Sequence, residues 1–120
     1  MLGLRTVVYK VDELAKAKEW YARAFAAEPY FDEPFYVGFD IGGYELGLVP
    51  NDTPASAKKE SAVTYWGVED IHANFQWLLS IGATEIEAPR NVGGELMVAT
   101  VKDPWGNLIG IIFNPDFRVK

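Results

Sequence analysis

The feature that most constrains the fold of this chain is a weak internal repeat. Residues 5–10 and 62–67 are both short runs rich in β-branched and aromatic residues, which is typical of strands. Each run is followed by a segment whose apolar residues recur at helical spacing. The two segments align at an offset of 57, which pairs Trp20 with Trp77. A chain with this pattern is expected to fold as two similar units in tandem.

A candidate hairpin follows each helical segment. In the first half, Gly42-Gly43 separates two strand-like runs, and in the second half the turn sequence Asp-Pro-Trp-Gly does so. The offset between the hairpins is 63, so the second half carries six more residues between its helix and its hairpin. The predicted hairpin strands are residues 35–41, 44–49, 96–101 and 107–113.

Each half is therefore predicted to be a β-α-β-β-β module, and the fold class is α+β. Module one is expected at residues 1–50 and module two at residues 61–120. The polar segment between them, residues 51–60, is predicted to be a linker.

Several residues have predicted places in these modules. Asp12 suits the N-cap of the first helix and Gly82 the end of the second. Trp20 and Trp77 occupy matched helical positions and are expected to pack in the core, and so is Trp66. The single histidine, His72, lies early in the second helix and is expected to be solvated.

Composition narrows the classes of partner. The formal net charge is −6 and the pI is about 4.7, which argues against nucleic acid and anionic membranes as partners. The chain has no cysteine, so disulfides and thiolate chemistry are excluded and a reducing cytoplasm is compatible. We therefore expect a cytoplasmic protein whose partner is a small molecule.

Two segments carry a resemblance to a known family. The first, YKVDELAKAKEWYARAF, is residues 9–25, and the second, VKDPWGNLIGI, is residues 101–111. They resemble the opening strand and helix, and the Asp-Pro-x-Gly-Asn hairpin, of the vicinal oxygen chelate superfamily, which includes glyoxalase I, extradiol dioxygenases, and fosfomycin- and bleomycin-resistance proteins. The resemblance implies two mixed sheets curled around a cleft, with the helices outside.

The resemblance also implies where a metal would be bound in metal-dependent members. Each module offers one ligand from its first strand and one from its last strand, and the matching positions here are Thr6, Gly47, Val63 and Gly110. None of the four supplies a carboxylate or an imidazole, and Thr6 offers at most a neutral oxygen. No metal and no cofactor are therefore expected.

Gly110 lies at the centre of a predicted buried strand, where an apolar side chain is usual. One interpretation is that Gly110 and Gly47 mark an emptied metal site and leave volume for a ligand. The alternative is that both glycines bend the sheet or allow close packing.

Glu45 is the charged residue of most interest, because it lies two positions from Gly47 and shares its strand face. It could bind a cationic group or act as a base, or it could be a rim residue paired with a lysine or arginine. Tyr65 is expected to face the cleft because it has the parity of Val63.

Three further residues are candidates for walls or rim of the cleft. Tyr36 lies in the first hairpin, and Trp105 lies in the turn of the second, where it could instead bury against the other module. Met97 could line the pocket or simply fill the core.

The favoured hypothesis is a metal-free small-molecule binding protein of the bleomycin-resistance type, with a flat or aromatic ligand in the inter-sheet cleft. The alternative is a lyase, isomerase or dioxygenase-like enzyme that uses Glu45 or an atypical metal site. A third hypothesis is a regulatory or structural member without an open pocket. A homodimer is the expected assembly, from the high aromatic content, and the sequence does not identify the ligand.

Overall fold

The structure is a computed structural model of the chain, and it describes residues 4, 6–51 and 63–115. The chain divides into two units between residues 58 and 59. The predicted linker at residues 51–60 lies outside the described residues except for Asn51. None of the helices within the described ranges is long and apolar enough to cross a bilayer.

The first unit is one module with a single mixed sheet. The sheet has the strand order β1-β4-β3-β2, and β1 runs parallel to β4 while the other pairs are antiparallel. Its elements are β1 (Thr6–Val11), α1 (Leu14–Phe25), β2 (Phe31–Glu33), β3 (Tyr36–Ile41) and β4 (Tyr44–Pro50).

The second unit repeats this order with a longer β6. Its sheet is ordered β5-β8-β7-β6, and β5 is parallel to β8. Its elements are β5 (Thr64–Gly67), α2 (Ile71–Ser80), β6 (Thr84–Gly93), β7 (Leu96–Lys102) and β8 (Leu108–Phe113). The predicted α+β class and the two β-α-β-β-β modules are confirmed, and neither sheet closes on itself.

One face of the first sheet packs against α1. The Tyr9 ring stacks on the Tyr21 ring of α1 at a centroid distance of 5.8 Å, and the strand neighbours of Tyr9 on that face include Leu48. Leu46, Leu48 and Phe39 are fully buried there. Because side chains alternate along a strand, the residues between these core positions lie on the opposite face of the sheet. We call it the open face because it is the face that does not pack against α1.

The two helices begin differently. The N-cap of α1 is Glu13, which makes no capping hydrogen bond, so the prediction of Asp12 as N-cap is wrong. The Asp12 carboxylate instead accepts a hydrogen bond from Asn51 Nδ2 at 3.0 Å, which ties the start of α1 to the end of β4. In α2 the N-cap Asp70 accepts from the Ala73 N–H at 3.0 Å.

An aspartate closes the turn of each hairpin. Asp40 Oδ1 accepts from the Gly43 N–H at 2.8 Å, and both turn glycines have positive φ, as a two-residue hairpin loop requires. The buried Asp103 accepts from the Trp105 N–H at 2.9 Å and the Asn107 N–H at 2.7 Å. The Asp-Pro-Trp-Gly-Asn motif therefore has a structural role, since it satisfies its own backbone.

The matched tryptophans have different environments. Trp20 is buried as predicted, but Trp77 is 43% exposed, so the prediction of a core position for Trp77 is wrong. The buried residues of α2 are Ile71, Phe75 and Leu78, and this stripe places Trp77 at its edge. His72 is exposed, as predicted, and Trp66 is half-buried rather than fully buried.

Candidate functional site

Two glycines form the centre of the open face of the first sheet. Gly38 on β3 and Gly47 on β4 are directly paired, and Val8 on β1 is the neighbour of Gly47 on its other side. Thr6 and Glu45 are paired in the same way. The strand register therefore places three of the predicted site residues, Thr6, Glu45 and Gly47, on one face.

The space above Gly47 is occupied by Tyr36. A Cβ atom at Gly47 would lie 2.7 Å from Cζ and 2.9 Å from Cε1 of the Tyr36 ring, closer than real contacts allow. Gly47 therefore does not leave open volume, and the close-packing interpretation describes this position. The absent side chain lets a phenol ring lie flat on the sheet.

Glu45 is bound by two tyrosines. Tyr36 Oη donates to Glu45 Oε2 at 2.5 Å, and Tyr30 Oη donates to Glu45 Oε1. We call these three residues the Glu45 cluster. Gly38 is part of its floor, because a Cβ there would lie 3.2 Å from Glu45 Oε2, from Tyr30 Cε1 and from Tyr36 Cε2.

The cluster changes the ionisation of its phenols. Burial, reinforced by the hydrogen bond to Glu45, raises the pKa of Tyr36 to about 12. The hydrogen bond to Glu45 is the main cause of the raised pKa of Tyr30. Both phenols therefore stay neutral donors at physiological pH. The expected alternative partner of Glu45, a lysine or arginine, is not what the structure shows.

Further aromatic rings extend from the cluster. The Phe31 ring lies edge-on to Tyr36 at 6.0 Å and to Phe35 at 6.1 Å. Tyr30 and Phe35 are 63% and 66% exposed. Tyr30, Phe31 and Phe35 were not predicted as site residues, although four aromatic residues within residues 30–36 were a visible signal.

The second sheet covers its glycine differently. A Cβ at Gly110 would lie 2.5 Å from Cδ1 of Tyr65 and 2.9 Å from Cγ1 of Val63. Tyr65 is paired with Gly110 across β5 and β8 and shares its face, as predicted. The space at Gly110 is therefore filled by Tyr65 and Val63, and the interpretation that it is left open is wrong.

The strand register places one predicted wall residue, Met97, away from the face of Gly110. Met97 pairs with Phe113 and has the parity of Ala99, so its side chain lies on the face opposite Gly110. Of its two predicted roles, the structure supports that of core filler. Trp105 is half-buried in the turn whose backbone Asp103 holds.

The Glu45 cluster has no counterpart in the second sheet. Gly110 pairs with Thr100, as Gly47 pairs with Gly38. Val98, two residues before Thr100, therefore takes the strand position of Tyr36, two residues before Gly38. Leu108 takes that of Glu45. A phenol and a carboxylate are thus replaced by two aliphatic side chains.

The family model of the Glyoxalase/Bleomycin resistance protein/Dioxygenase superfamily matches residues 3–111. The chain belongs to this superfamily. No curated protein matches the sequence significantly.

Solved structures of the superfamily share the fold. A glyoxalase-related enzyme from Fulvimarina pelagi matches with a TM-score of 0.82 at 15% identity, covering 100% of this chain and 94% of its own. The fosfomycin resistance protein FosX from Listeria monocytogenes matches with a TM-score of 0.77 at 16% identity, covering 97% and 96%. TioX from Micromonospora sp. ML1 matches with a TM-score of 0.68 at 17% identity, covering 92% of this chain and 98% of its own. At these identities the likeness shows the fold alone.

The residues at the superfamily's metal-ligand positions do not fit a divalent cation. Thr6 supplies one neutral oxygen, and Gly47, Val63 and Gly110 supply no side-chain donor. Within the described ranges no three histidine, cysteine, aspartate or glutamate side chains come together as a metal-binding group. Glu45 is near two of these positions, but both of its oxygens accept hydrogen bonds from phenols.

Proposed function

We propose that this protein binds a flat or aromatic small molecule without a metal, and that the ligand lies on the open face of the first sheet. The single observation that carries the proposal is the Glu45 cluster, in which a carboxylate and a phenol lie flat on two paired glycines. A superfamily member that had only to fill its core could place aliphatic residues there, as the second sheet does.

The surroundings of the cluster suit such a ligand. Tyr30, Phe31 and Phe35 are large exposed rings. The Tyr30 hydroxyl donates to the Glu45 carboxylate, Phe31 contacts the Tyr36 ring, and Phe35 contacts Phe31. Binding sites for small molecules commonly combine aromatic surface with a few fixed polar groups. An exposed group of aromatic residues on a protein surface also marks a place of interaction more often than chance would give.

A binding role for Glu45 is favoured over catalysis. General-base catalysis would protonate Glu45, which would weaken the hydrogen bonds that it accepts from two phenols, whereas binding a cation keeps both of them. The enzymes among the solved relatives resemble this chain in fold, and their activities therefore give no reason to assign catalysis to Glu45.

The proposal is tested by screening soluble flat aromatic compounds by thermal shift, with EDTA present throughout. Compounds that raise the melting temperature of the wild type should fail to do so for Tyr36→Leu. Tyr65→Leu, which removes the ring of the other sheet, is the matched control and should respond like the wild type. Circular dichroism checks that both variants fold.

Two results would overturn the proposal: no compound that shifts the melting temperature, or a shift that appears only when a divalent metal is added. Elemental analysis after native purification should likewise find no stoichiometric zinc, nickel, iron or manganese. The homodimer and the cytoplasmic location stay predictions. Sedimentation showing a 13.4 kDa species at high micromolar concentration would contradict the homodimer.

A further inference from the structure

We propose that the ligand carries an alkylammonium group on its aromatic ring, and that Glu45 and the rings beside it bind this positive charge. The inference rests on the proposed function and names the chemical class of its ligand. It comes from the charge and ring composition of the open face of the first sheet.

The charge of Glu45 is oriented, and no lysine or arginine within the described ranges is paired with it. Its partners Tyr30 and Tyr36 are neutral phenols, and a carboxylate has about four lone-pair positions, so room remains for a further donor or cation. Among the described residues, ion pairs join Lys16 to Glu13, Lys18 to Asp32 and Arg90 to Glu87, and none of these three involves Glu45.

A second carboxylate strengthens the negative potential. Asp40 on β3 is the direct cross-strand partner of Glu45. It is exposed, and one of its carboxylate oxygens accepts a hydrogen bond from the Gly43 N–H. Two like charges at paired positions repel each other. A cation bound between them would relieve this repulsion, whereas an anionic ligand would increase it.

The rings favour the same class of ligand. The face of an aromatic ring carries negative charge density and attracts alkylammonium groups. Tyr30, which donates to the carboxylate, and Phe31, which contacts Tyr36, both expose ring surface at the cluster, and Phe35 extends this surface from Phe31. An alkylammonium group therefore gains from both kinds of neighbour, while a neutral group of equal shape gains only apolar contact.

The competing explanation is that the cluster only fastens the segment before β2 to the sheet. Tyr30 supports this explanation, because its N–H also donates to the Gly38 carbonyl at 3.0 Å. A fastening role predicts that Glu45 affects stability and not ligand choice. The two explanations are separated by a pair of ligands of one shape and different charge.

The test is an NMR titration of the 120-residue chain with (4-hydroxyphenyl)trimethylammonium and with 4-tert-butylphenol. These probes have the same shape, and only the first is charged. The wild type should bind the cation at least about fivefold more tightly, and added salt should reduce the preference. In Glu45→Gln, which keeps the size of the side chain and removes its charge, the preference should fall clearly, and the part that remains is due to Asp40 and the aromatic rings. Glu85→Gln, the same charge change on the exposed β6, should keep the preference.

Each other outcome counts against the inference. Equal affinities in the wild type would overturn it and leave the proposed function standing. A preference that is undiminished in Glu45→Gln would remove Glu45 from recognition. Binding of neither probe would remove the inference, and the aromatic screen described above would then decide the proposed function separately. If Glu45→Gln fails to fold, the salt dependence in the wild type decides, and a preference insensitive to salt contradicts the proposal.

Discussion

The two sheets have the same backbone pattern around one glycine and cover it with different side chains. Gly47 pairs with Val8, and Gly110 pairs with Tyr65, which stands at the position equivalent to Val8. In the first sheet the covering ring comes instead from the antiparallel neighbour, as Tyr36. The comparison teaches that the repeat preserves the position of the missing side chain, while each half fills that position in its own way.

The difference extends to the polarity of the two faces. Tyr36 is held by Glu45 at 2.5 Å, whereas Tyr65 is 46% exposed and no hydrogen bond to its hydroxyl is found among the described residues. One half therefore has an anchored ring beside a charge, and the other has a ring that is free to turn toward solvent. We infer that the first half carries the specialised site and the second keeps a simpler arrangement.

The largest expected difference between the halves lies in the matched tryptophans. Trp20→Ala should lower the free energy of unfolding by about 3 kcal/mol, because it empties a core position. Trp77→Ala should cost less than about 1 kcal/mol, since that side chain keeps much of its contact with water. Urea denaturation of both variants measures the difference, and equal costs would contradict the structural comparison.

Adding one methyl group at each glycine tests the covering rings. Gly47→Ala should cost about 2 kcal/mol by overpacking, because Tyr36 is half-buried and held by Glu45. Gly110→Ala should cost less than about 1 kcal/mol, because the exposed Tyr65 can turn away. Urea denaturation again gives the two values.

A double-mutant cycle supplies the control for the Gly47 result. Gly47→Ala combined with Tyr36→Ala should cost clearly less than the sum of the two single changes, since the clash is gone once the ring is removed. Additive costs would show that the ring is not what excludes a side chain at Gly47. The cycle of Gly110 with Tyr65 should show weaker coupling.

Much of the fold was predictable from local patterns. The strand after the second turn is observed at Leu108–Phe113, within one residue of the predicted 107–113, because an aspartate turn and an apolar run specify it together. The prediction of Asp12 as N-cap was wrong, because a polar residue before a helix can accept a hydrogen bond from a more distant partner, here Asn51. The core position predicted for Trp77 was wrong, because helical spacing locates the apolar stripe of a helix but does not say which edge of the stripe is covered.

The candidate site was predictable only in part. Parity along the strands correctly put Glu45 on the face of Gly47, because alternation is fixed by backbone geometry. The rings that fill the space at Gly47 and Gly110 depend on side-chain rotamers, which spacing does not specify. Tyr30 was missed because it reaches Glu45 from outside any predicted strand, across 15 residues of sequence.

The ionisation of Tyr36 gives a finer test of the Glu45 cluster. In Glu45→Gln the pKa of Tyr36 should fall from about 12, but stay above its ordinary value of 10.0, because burial, the largest cause of the raised pKa, remains. NMR of the tyrosine ring carbons during an alkaline titration measures it. An unchanged pKa would mean that Glu45 does not contact the phenol in solution.

Stability should follow the same titration. The folded state keeps the Tyr36 proton after the unfolded chain has lost it. The contribution of Tyr36 to the free energy of unfolding is therefore complete below pH 10.0 and is lost as the pH rises to about 12. The loss over this window should be smaller in Glu45→Gln than in the wild type. Comparing the two proteins cancels the titration of lysines, which overlaps it.

The smallest expected effect is at the helix ends, where the halves differ by one methyl group. Ala26 follows α1 with φ 52° and ψ 49°, a left-handed conformation that favours glycine, and the corresponding end of α2 has Gly82 with φ 111°. Ala26→Gly should raise the free energy of unfolding by about 0.5–1 kcal/mol, because relief of the side-chain strain exceeds the added entropy of the unfolded chain. Gly82→Ala should lower it by about 1 kcal/mol. Thermal and urea unfolding measure both, and a destabilised Ala26→Gly would show that the end of α1 is held by its contacts rather than limited by its backbone.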